Sequence, residues 1–207
     1  MTKVCLSVKL ISMKILVAYE CSERIKKAFL DKGHDTYSCD YKPGELGLKN
    51  HYQCDVWELL NNRKFVSSLN MLIANPDCTT KANSGVRWLF KIHSRYEQMI
   101  KDCDEFNKLL RLPISKICVE QPIIHKYASS LIIKTYTQLI QPNYFGETES
   151  KATCLWLNGL PLLVRTHFLA KEDIKQSVWL ESPSLNRKTN RARTFTKIAQ
   201  AMAEQWT

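Results

Sequence analysis

The stretch that decides the fold is MLIANPDCTT, residues 71–80. Its apolar first half runs into Asn75-Pro76, a pattern typical of a buried strand that ends at a turn. In an open α/β sheet, ligands bind at the carboxyl ends of the strands. Cys78, which follows the proline closely, is therefore either a nucleophile presented at such an end or an ordinary buried thiol.

Strands and helices alternate on both sides of this stretch. Compact apolar runs are bounded by turn residues, and segments with helical periodicity separate most of them. This alternation predicts an α/β fold built on a mostly parallel, doubly wound sheet. The predicted strands cover residues 14–19, 35–39, 51–56, 71–74, 114–119, 137–142 and 152–157. The predicted helices cover residues 23–30, 57–65, 96–110 and 198–206, whereas residues 159–193 are irregular.

Carboxylates gather at the ends of the predicted strands, at Glu20, Asp40, Asp55 and Glu120. Together with the Cys78 thiol they are expected at one edge of the sheet. In nucleotide-binding folds, a carboxylate after the second strand accepts hydrogen bonds from ribose hydroxyls. No glycine-rich fingerprint accompanies the first turn, so a dinucleotide pyrophosphate is not the expected ligand. Taken singly, each acid is more typical of a helix cap or a solvated loop, and Ser22 is itself expected to cap the first helix.

The chain is strongly basic, with 30 Lys and Arg, 20 Asp and Glu, and a formal net charge of +10. This excess favours a polyanionic partner, with nucleic acid first, although a solvated basic surface has the same composition. The eight cysteines form no C-x-x-C pair, so we expect reduced thiols in a cytosolic protein and no metal site. No apolar run approaches the ~18 residues of a membrane span.

Residues 1–12 form a short apolar segment that ends before a second methionine, Met13. The segment lacks the length and the cleavage pattern of a signal peptide, and we interpret it as an N-terminal extension. It is either an additional edge strand or an upstream start, with Met13 as the functional start. Residues 13–207 are then expected to form a single catalytic domain.

The order of these motifs resembles that of the DNA cytosine-5 methyltransferase family, especially its short forms in phage genomes. The matching stretches are YECS at 19–22, Asp40, CDV at 54–56, NPDC at 75–78 and VEQP at 119–122. Residues 145–157 are similar to the stretch that supplies basic groups near the base, and RTF at 193–195 is similar to the last motif. The resemblance covers residues 13–207. It implies a Rossmann-like S-adenosylmethionine-dependent methyltransferase fold with an antiparallel late strand.

The resemblance also implies roles for individual residues, with Cys78, Glu120 and Lys151 as the catalytic set. A thiolate on C6 of cytosine turns C5 into a nucleophile for a methyl group, and a carboxylic acid stabilises the intermediate at N3. The base must be flipped out, and the loop at 79–94 is expected to close over it. The implied S-adenosyl-L-methionine site comprises Tyr19, Glu20, Cys21, Ser22, Asp40, Asp55, Asn75, Pro76 and Thr194. The implied DNA contacts are Lys81, Asn83, Arg87, Thr153, Arg191 and Arg193, with Lys81 and Arg87 on phosphates.

The chain departs from the family pattern at the nucleophile and around the base. Asp77 stands where the family has proline, and a neighbouring carboxylate raises the pKa of a thiol. Gln121 replaces an asparagine, and Lys151 and Thr153 replace two arginines. Only a short segment stands where sequence-reading members carry a recognition domain. The chain is therefore expected to methylate with little sequence preference, to take its specificity from a partner protein, or to act on something other than duplex DNA.

Three functions are compatible with these residues. The leading hypothesis is a DNA cytosine-5 methyltransferase, part of restriction-modification chemistry and encoded by a phage or virus in the host cytoplasm. The alternatives are a catalytically inactive protein that binds nucleic acid or cofactor, and a cytosine-modifying enzyme for nucleotides or RNA. Amino-group methyltransferases place an aromatic residue where Cys78 stands, and the next aromatic residue here is Trp88, which favours carbon methylation.

Overall fold

A seven-stranded sheet forms the centre of the molecule. The structure is a computed structural model that describes residues 12–184 and 187–207, so residues 1–11 of the predicted extension lie outside the described residues. The strands are β1 (Lys14–Ala18), β2 (Asp35–Asp40), β3 (His51–Gln53), β4 (Met71–Ala74), β5 (Lys116–Pro122), β6 (Gln138–Ile140) and β7 (Thr153–Asn158). They lie in the order β3-β2-β1-β4-β5-β7-β6.

The pairing of the strands confirms the predicted fold class. β1 lies parallel to both β2 and β4, and β4 lies parallel to β5. The late strand β7 runs antiparallel to its neighbours β5 and β6. The sheet is thus mostly parallel and doubly wound, with the antiparallel late strand expected of a Rossmann-like methyltransferase fold.

The central strands are buried because they are continuous apolar runs that pack on both faces of the sheet. In β1, Ile15 and Val17 join the apolar cluster on one face, and Leu16 and Ala18 join the cluster on the other. β4 is buried along its whole length. These two strands therefore provide the rigid base from which the loops at their carboxyl ends start.

Helices cover both faces of the sheet: α1 (Arg24–Asp31), α2 (Val56–Leu60), α3 (Arg63–Ser68), α4 (Arg95–Leu110), α5 (Lys126–Ser129), α6 (Ser177–Leu180), α7 (Arg187–Ala192) and α8 (Thr196–Gln205). Apolar side chains of α1 and α8 pack on the face that carries Ile15 and Val17. Apolar side chains of α2, α3 and α4 pack on the opposite face. None of the described helices is long and apolar enough to cross a membrane.

The direction of winding reverses between β1 and β4. From β1 the chain proceeds to β2 and β3 on one side, then returns to β4 and β5 on the other. In open α/β sheets, such a reversal leaves a crevice beyond the carboxyl ends of the two strands, and ligands bind there. The crevice of this molecule lies beyond Ala18 and Ala74.

Local polar groups explain where the helices differ from the prediction. The single helix predicted for residues 57–65 is divided into α2 and α3, because the Asn62 side chain accepts a hydrogen bond from the Phe65 amide at 3.1 Å and starts a new helix. The predicted strand at 51–56 is short because Asp55 caps α2. The region expected to be irregular contains the short helices α6 and α7.

Candidate active site

β4 ends at Ala74, whereas its neighbour β5 continues to Pro122 and carries Glu120 within its last three residues. Ala74 is in register with Val119, so Asn75 leaves the sheet beside Glu120, which remains paired with Leu155 of β7. The Asn75 amide donates to the Ala18 carbonyl oxygen at 3.1 Å, which keeps the chain aligned with β1 beyond the end of β4. The loop of Cys78 and the carboxyl group of Glu120 therefore start from neighbouring strands at the same edge of the sheet.

Gln121 joins these two strand ends. Its side chain is 1% exposed, and its amide nitrogen donates a hydrogen bond to the carbonyl oxygen of Pro76. This bond fixes the turn before Cys78 against the strand that carries Glu120. The glutamine that departs from the family pattern thus positions the predicted nucleophile loop.

The Cys78 thiol is partly exposed and lies among charges of both signs. Burial raises the pKa of this thiol, and the carboxylates of Asp77 and Glu120 raise it further, whereas Lys81 and Lys151 lower it. The net effect is an increase, so the protonated thiol predominates at neutral pH. The same interactions show that Glu120 and Lys151 lie within electrostatic reach of the sulfur.

Asp77 shapes the turn in addition to affecting the thiol. Its Oδ1 atom accepts a hydrogen bond from the Thr79 amide at 2.6 Å and a second one from the Thr79 hydroxyl. A side chain that accepts from the residue two positions later closes a turn in a way that proline cannot. The aspartate therefore stabilises the loop while opposing formation of the thiolate.

Glu120 lies at a point where burial and a nearby cation act in opposite directions. Burial raises the pKa of its carboxyl group, and the charge of Lys151 offsets part of that rise. The Lys151 ammonium donates to the carbonyl oxygen of Arg191 at 2.9 Å. Thr153, at the start of β7, donates its hydroxyl to the Lys151 carbonyl oxygen at 3.2 Å. The strand end thus carries an acid of raised pKa next to a fixed cation.

A small pocket, open to solvent, lies beside these groups. Its lining is formed by Ile25, Asn75, Glu120, Lys151, Thr153, Thr194, Phe195, Ile198 and Met202. The Asn75 Oδ1 atom is buried and has no hydrogen-bond partner within the described part of the chain. The structure thus brings predicted catalytic, cofactor and base-contacting residues to one pocket, whereas Cys78 stands outside its lining.

Lys81 is buried. Its side chain is 1% exposed, and its ammonium group donates to the Asp77 carbonyl oxygen at 2.5 Å. The Lys81 backbone also forms two hydrogen bonds. Its amide donates to the Cys78 carbonyl oxygen at 3.0 Å, and its carbonyl oxygen accepts from the His125 amide at 3.0 Å. The Lys81 ammonium is enclosed in this arrangement, whereas the predicted phosphate contact needs it at the surface, so that contact stays a prediction. Its charge acts on the Cys78 thiol.

The loop at residues 79–94 is fastened to the chain after β5. Asn83 and Arg87 are exposed on a 3₁₀ helix that spans Asn83–Trp88. The Asn83 amide donates to the Ile123 carbonyl oxygen at 2.9 Å, and the Arg87 guanidinium lies over the Trp88 ring, 4.9 Å from its centroid. Both predicted nucleic-acid contacts therefore lie on a folded surface.

Glu20 is used by the fold itself. Its carboxylate is 3% exposed and accepts hydrogen bonds from the amide of Ile25 at 2.8 Å, the amide of Lys26 at 3.4 Å and the hydroxyl of Ser22 at 3.1 Å. Burial raises the pKa of Glu20 to about 7, although the two backbone bonds oppose the rise. Glu20 caps α1 in place of Ser22, because Glu23 enters the helix with a left-handed φ of 54°. Glu20 and Ser22 therefore both serve the start of α1, and their predicted cofactor roles stay predictions.

The two acids after β2 and β3 have different roles. The Asp55 side chain accepts a hydrogen bond from the Trp57 amide at 2.9 Å, and the Asp55 amide donates to the Glu58 side chain. Asp55 and Glu58 therefore form a capping box at the start of α2. Asp40 is partly exposed at the end of β2, where one carboxylate oxygen accepts from the Lys42 amide at 2.9 Å. Asp40 is thus the acid best placed for a ribose, and Asp55 is first a helix cap.

Tyr19 and Cys21 lie on either side of the first turn. Tyr19 has a left-handed φ of 60°, and its ring packs against the apolar cluster on the α4 face. Burial raises the pKa of the Tyr19 hydroxyl, which is buried and has no hydrogen-bond partner among the described residues. Cys21 is partly exposed, and burial and then the charge of Asp40 raise the pKa of its thiol. Cys21 and Asp40 therefore share one edge of the crevice, whereas Tyr19 is directed into the core.

Residues near the C-terminus are tied to the loop after β2. The Arg193 guanidinium forms two bonds of 2.9 Å to the carboxylate oxygens of Glu45, and Arg24 donates to the Thr194 carbonyl oxygen at 3.0 Å. The Arg193 guanidinium is thus paired with Glu45 and 33% exposed, and its predicted contact with nucleic acid stays a prediction. Arg191 remains partly exposed, with its carbonyl oxygen held by Lys151.

A buried ion pair that the sequence analysis missed supports the same loop. Glu23 and Lys26 are 0% exposed and 2.9 Å apart. Glu23 also accepts from the amides of Leu46 at 3.0 Å and Leu48 at 3.3 Å, and these bonds together with Lys26 lower its pKa against the effect of burial. A Cβ atom on Gly44 would lie 2.5 Å from the Glu23 carboxyl carbon. The signal in the sequence was the i,i+3 charge pair on an otherwise apolar helix face.

The crevice offers groups that suit S-adenosyl-L-methionine. Asp40 is a partly exposed carboxylate of the kind that accepts from ribose hydroxyls, and Asn75 has a buried acceptor that no other described residue uses. Thr194 and Phe195 line the side of the pocket that faces these groups. Among the described residues, no group of His, Cys, Asp and Glu is arranged to hold a metal ion.

Comparison with known proteins finds no matching protein family and no matching curated protein. Similar solved structures include the Entamoeba histolytica methyltransferase EhMeth, with 12% identity, a TM-score of 0.48, and coverage of 85% of this chain and 62% of that one. A Spodoptera frugiperda DNMT2 variant has 17% identity, a TM-score of 0.45 and coverage of 77% and 56%. S. pombe Dnmt2 methyltransferase has 12% identity, a TM-score of 0.44 and coverage of 84% and 55%. This chain thus spans less than two thirds of each of these relatives.

Proposed function

We propose that this protein transfers a methyl group from S-adenosyl-L-methionine to C5 of cytosine in nucleic acid, with DNA as the first candidate. The observation that carries the proposal is the meeting of Cys78 in the loop after β4, Glu120 near the end of β5 and Lys151 just before β7, where the charges of Glu120 and Lys151 act on the Cys78 thiol. A thiol and an acid at neighbouring strand ends are the two groups that the reaction requires on one pyrimidine ring.

Each residue has a defined task in this reaction. The Cys78 thiolate forms a bond to C6 of cytosine, and the ring electrons move so that C5 becomes nucleophilic. Burial raises the pKa of the Glu120 carboxyl and so favours its protonated form, which would donate a proton or a strong hydrogen bond to N3. Lys151 places a cation beside the base, where one of the family's arginines is expected. Once C5 carries the methyl group, water takes the C5 proton, the C5–C6 double bond re-forms and the C6–S bond breaks, which releases the thiolate.

The cofactor would be held by Asp40 at its ribose and by Asn75 and Thr194 near the pocket. S-adenosyl-L-methionine, when bound, supplies an activated methyl group on a sulfonium ion. Asn75 directly follows β4 and lines the same pocket as Glu120 and Thr194. This arrangement would orient the donor toward the base.

The nucleic-acid partner is supported by the charge of +10 and by the exposed Arg87 and Asn83 beside the Cys78 loop. A buried ring atom cannot be attacked inside a stacked duplex, so a target in duplex DNA would have to be flipped out. We propose that any sequence specificity comes from a partner protein.

Methyl transfer from labelled S-adenosyl-L-methionine to cytosine-containing DNA tests the proposal. We expect transfer, trapping of the protein on 5-fluorocytosine DNA, and loss of both in Cys78→Ala. Cys54→Ala is the matched control, because Cys54 is also a partly exposed cysteine but lies outside the proposed site. Absence of transfer to DNA, RNA and dCMP alike would overturn the proposal.

A non-catalytic binding protein is the second candidate, and the raised pKa of the Cys78 thiol favours it because little thiolate forms at neutral pH. It predicts that cofactor and nucleic acid bind equally well to the wild type and to Cys78→Ala, with no turnover in either. Competition among DNA, RNA and dCMP separates the third possibility, a cytosine-modifying enzyme for other substrates.

A further inference from the structure

Four exposed aromatic side chains lie beside the loop of the predicted nucleophile. This aromatic patch consists of Trp88, Phe90, Tyr96 and Tyr127, which are 42%, 67%, 42% and 37% exposed. Phe90 stacks on Tyr96 with ring centroids 5.6 Å apart, and it meets Tyr127 edge-on at 5.3 Å. Large exposed rings in contact with one another mark an interaction site more often than chance exposure does.

Cations surround the aromatic patch. The Arg87 guanidinium lies 4.9 Å from the centre of the Trp88 ring, and the Lys126 ammonium lies 5.1 Å from the centre of the Tyr127 ring. Between residues 79 and 101 the basic residues are Lys81, Arg87, Lys91, Arg95 and Lys101, and the acidic residue is Glu97. Lys81 is buried, and the other four remain near the surface. Asp77 and Asp102 lie in the adjacent cleft, where Thr79 and Thr80 engage them.

The chain connects the aromatic patch directly to Cys78. The Cys78 carbonyl oxygen accepts from the Ala82 amide at 2.8 Å, one residue before the 3₁₀ helix that ends at Trp88. Arg95, next to Tyr96, donates to the Thr79 carbonyl oxygen at 2.7 Å. A ligand on the patch would therefore be held at a fixed offset from the thiol.

We infer that the aromatic patch binds unpaired bases of single-stranded nucleic acid that flank the target cytosine, an inference that rests on the proposed function. Exposed rings with interleaved cations are the combination that single strands require, because bases stack on the rings while phosphates meet the cations. Paired bases in a duplex offer no free ring face to such a surface. The patch thus selects substrates whose target is already unpaired, which suits a chain that has no large recognition domain between β7 and α8.

A protein partner is a weaker explanation for the same surface. The central parts of protein interfaces are depleted in lysine, whereas Lys91 and Lys126, the chain neighbours of Phe90 and Tyr127, are both exposed. A protein that bound here would have to be strongly acidic. The charge therefore favours a polyanion.

Binding of fluorescent oligonucleotides by the full chain tests the inference. We expect a 12-mer DNA or RNA single strand to bind more tightly than the duplex of the same sequence. Phe90→Ser with Tyr96→Ser should weaken binding of the single strand about tenfold or more, because each lost stack removes a base contact. Phe90→Tyr should retain wild-type affinity, since it keeps the ring face. Phe168→Ser is the matched control, because Phe168 is also an exposed ring beside a cation: it is 81% exposed and contacts Arg165. Arg165 also stacks on Tyr144, which packs on the α8 face of the sheet, so this ring belongs to a different surface from the aromatic patch.

Each outcome has a distinct meaning. Equal affinity of wild type and the double variant for single strands, with unchanged thermal unfolding, would overturn the inference, as would tighter binding of the duplex. Binding that persists in Cys78→Ala but falls in the double variant supports the patch even if no methyl transfer is found. In that case the proposed reaction fails while the surface stands. Comparison of the DNA and RNA single strands identifies which of the two the patch prefers.

Discussion

Asp77 and Lys81 have opposite effects on the pKa of the Cys78 thiol. After burial, Asp77 is the next contribution that raises the pKa of the Cys78 thiol, and Lys81 is the first that lowers it. Both residues also hold the loop, since Asp77 accepts from the Thr79 amide and Lys81 donates to the Asp77 carbonyl oxygen. The same side chains that shape the turn therefore set the reactivity of the nucleophile.

Asp77→Asn is expected to make Cys78 react faster with iodoacetamide at pH 8. The amide keeps an acceptor for Thr79 but removes the negative charge, so the thiol pKa falls. A decrease of one unit gives about ten times more thiolate but a thiolate about three times less nucleophilic, so the net gain is about threefold. The rate is measured by mass spectrometry of the Cys78 peptide, with the Cys54 peptide as internal reference. An unchanged rate would show that the Asp77 charge does not reach the sulfur.

Lys81→Met and Arg87→Met separate a buried cation from an exposed one. Arg87→Met should reduce the salt dependence of nucleic-acid binding by roughly 0.7 in the log–log slope for a single strand. Lys81→Met should leave the slope unchanged and slow alkylation of Cys78, because loss of the positive charge raises the thiol pKa. Titrations at several salt concentrations measure the slope. A reduced slope in Lys81→Met would support its predicted phosphate contact.

The sequence predicted the positions of residues that follow from the order of the strands. It did not predict the environment of residues whose contacts come from distant parts of the chain. Cys78 and Glu120 were predicted together because parallel strands end at one edge of the sheet. The burial of Lys81 depends on His125, which the chain brings in only after β5. A lysine in a polar stretch has no local signal for such enclosure, and it was therefore expected in solvent.

At the scale of elements, the loop at residues 41–50 connects the start of α1 with the C-terminal segment beside the crevice. It is tied to α1 through Glu23 and to the C-terminal segment through Glu45 and Arg193. These ties span 148 residues of sequence between Glu45 and Arg193, so no periodicity within a window can reveal them. By contrast, β1 and β4 were predicted closely because each is a continuous apolar run.

Gly44→Ala is expected to destabilise the protein by about 2 kcal/mol or more, the scale of overpacking in a tight interior. The new Cβ atom would stand 2.5 Å from the Glu23 carboxyl carbon, which Lys26 holds in place. Gly47→Ala is the matched control in the same loop: nothing lies within 4 Å of its Cβ position, and its φ of +63° should cost only about 1 kcal/mol. Urea unfolding measures both. A smaller loss in Gly44→Ala than in Gly47→Ala would contradict the packing described for this loop.

At the scale of the whole molecule, one edge of the sheet carries both the residues of the proposed active site and carboxylates that the fold uses as helix caps. The alternation of strands and helices predicted this edge, and the structure confirms the fold class. It also shows that several strand-end acids serve the fold, since Asp55 caps α2 and Glu20 caps α1. Composition cannot distinguish a carboxylate that binds a ligand from one that caps a helix, because both follow a strand and precede a helix.

The pH dependence of global stability tests the capping role of Glu20. Its pKa is raised from 4.5 to about 7 in the folded protein, chiefly by burial. Between these two values the unfolded chain releases this proton first, so the contribution of Glu20 to folding is present below pH 4.5 and is lost as the pH rises through 7. Glu20→Gln removes the titration while keeping an acceptor for the Ile25 amide. The unfolding free energy of the variant should therefore rise relative to wild type by about 3 kcal/mol across this range, at 1.4 kcal/mol per pKa unit.

Urea unfolding of both proteins at intervals from pH 4.5 to pH 8 measures this difference, and the difference should level off above pH 7 once both states are ionised. Glu204→Gln is the control, because that carboxylate is 57% exposed and should show little change with pH relative to wild type. A constant difference between Glu20→Gln and wild type would mean that the Glu20 carboxylate is stabilised in its ionised form by the amides of α1. Glu20 would then cap α1 as a negative charge, and its burial would no longer lower the unfolding free energy at neutral pH.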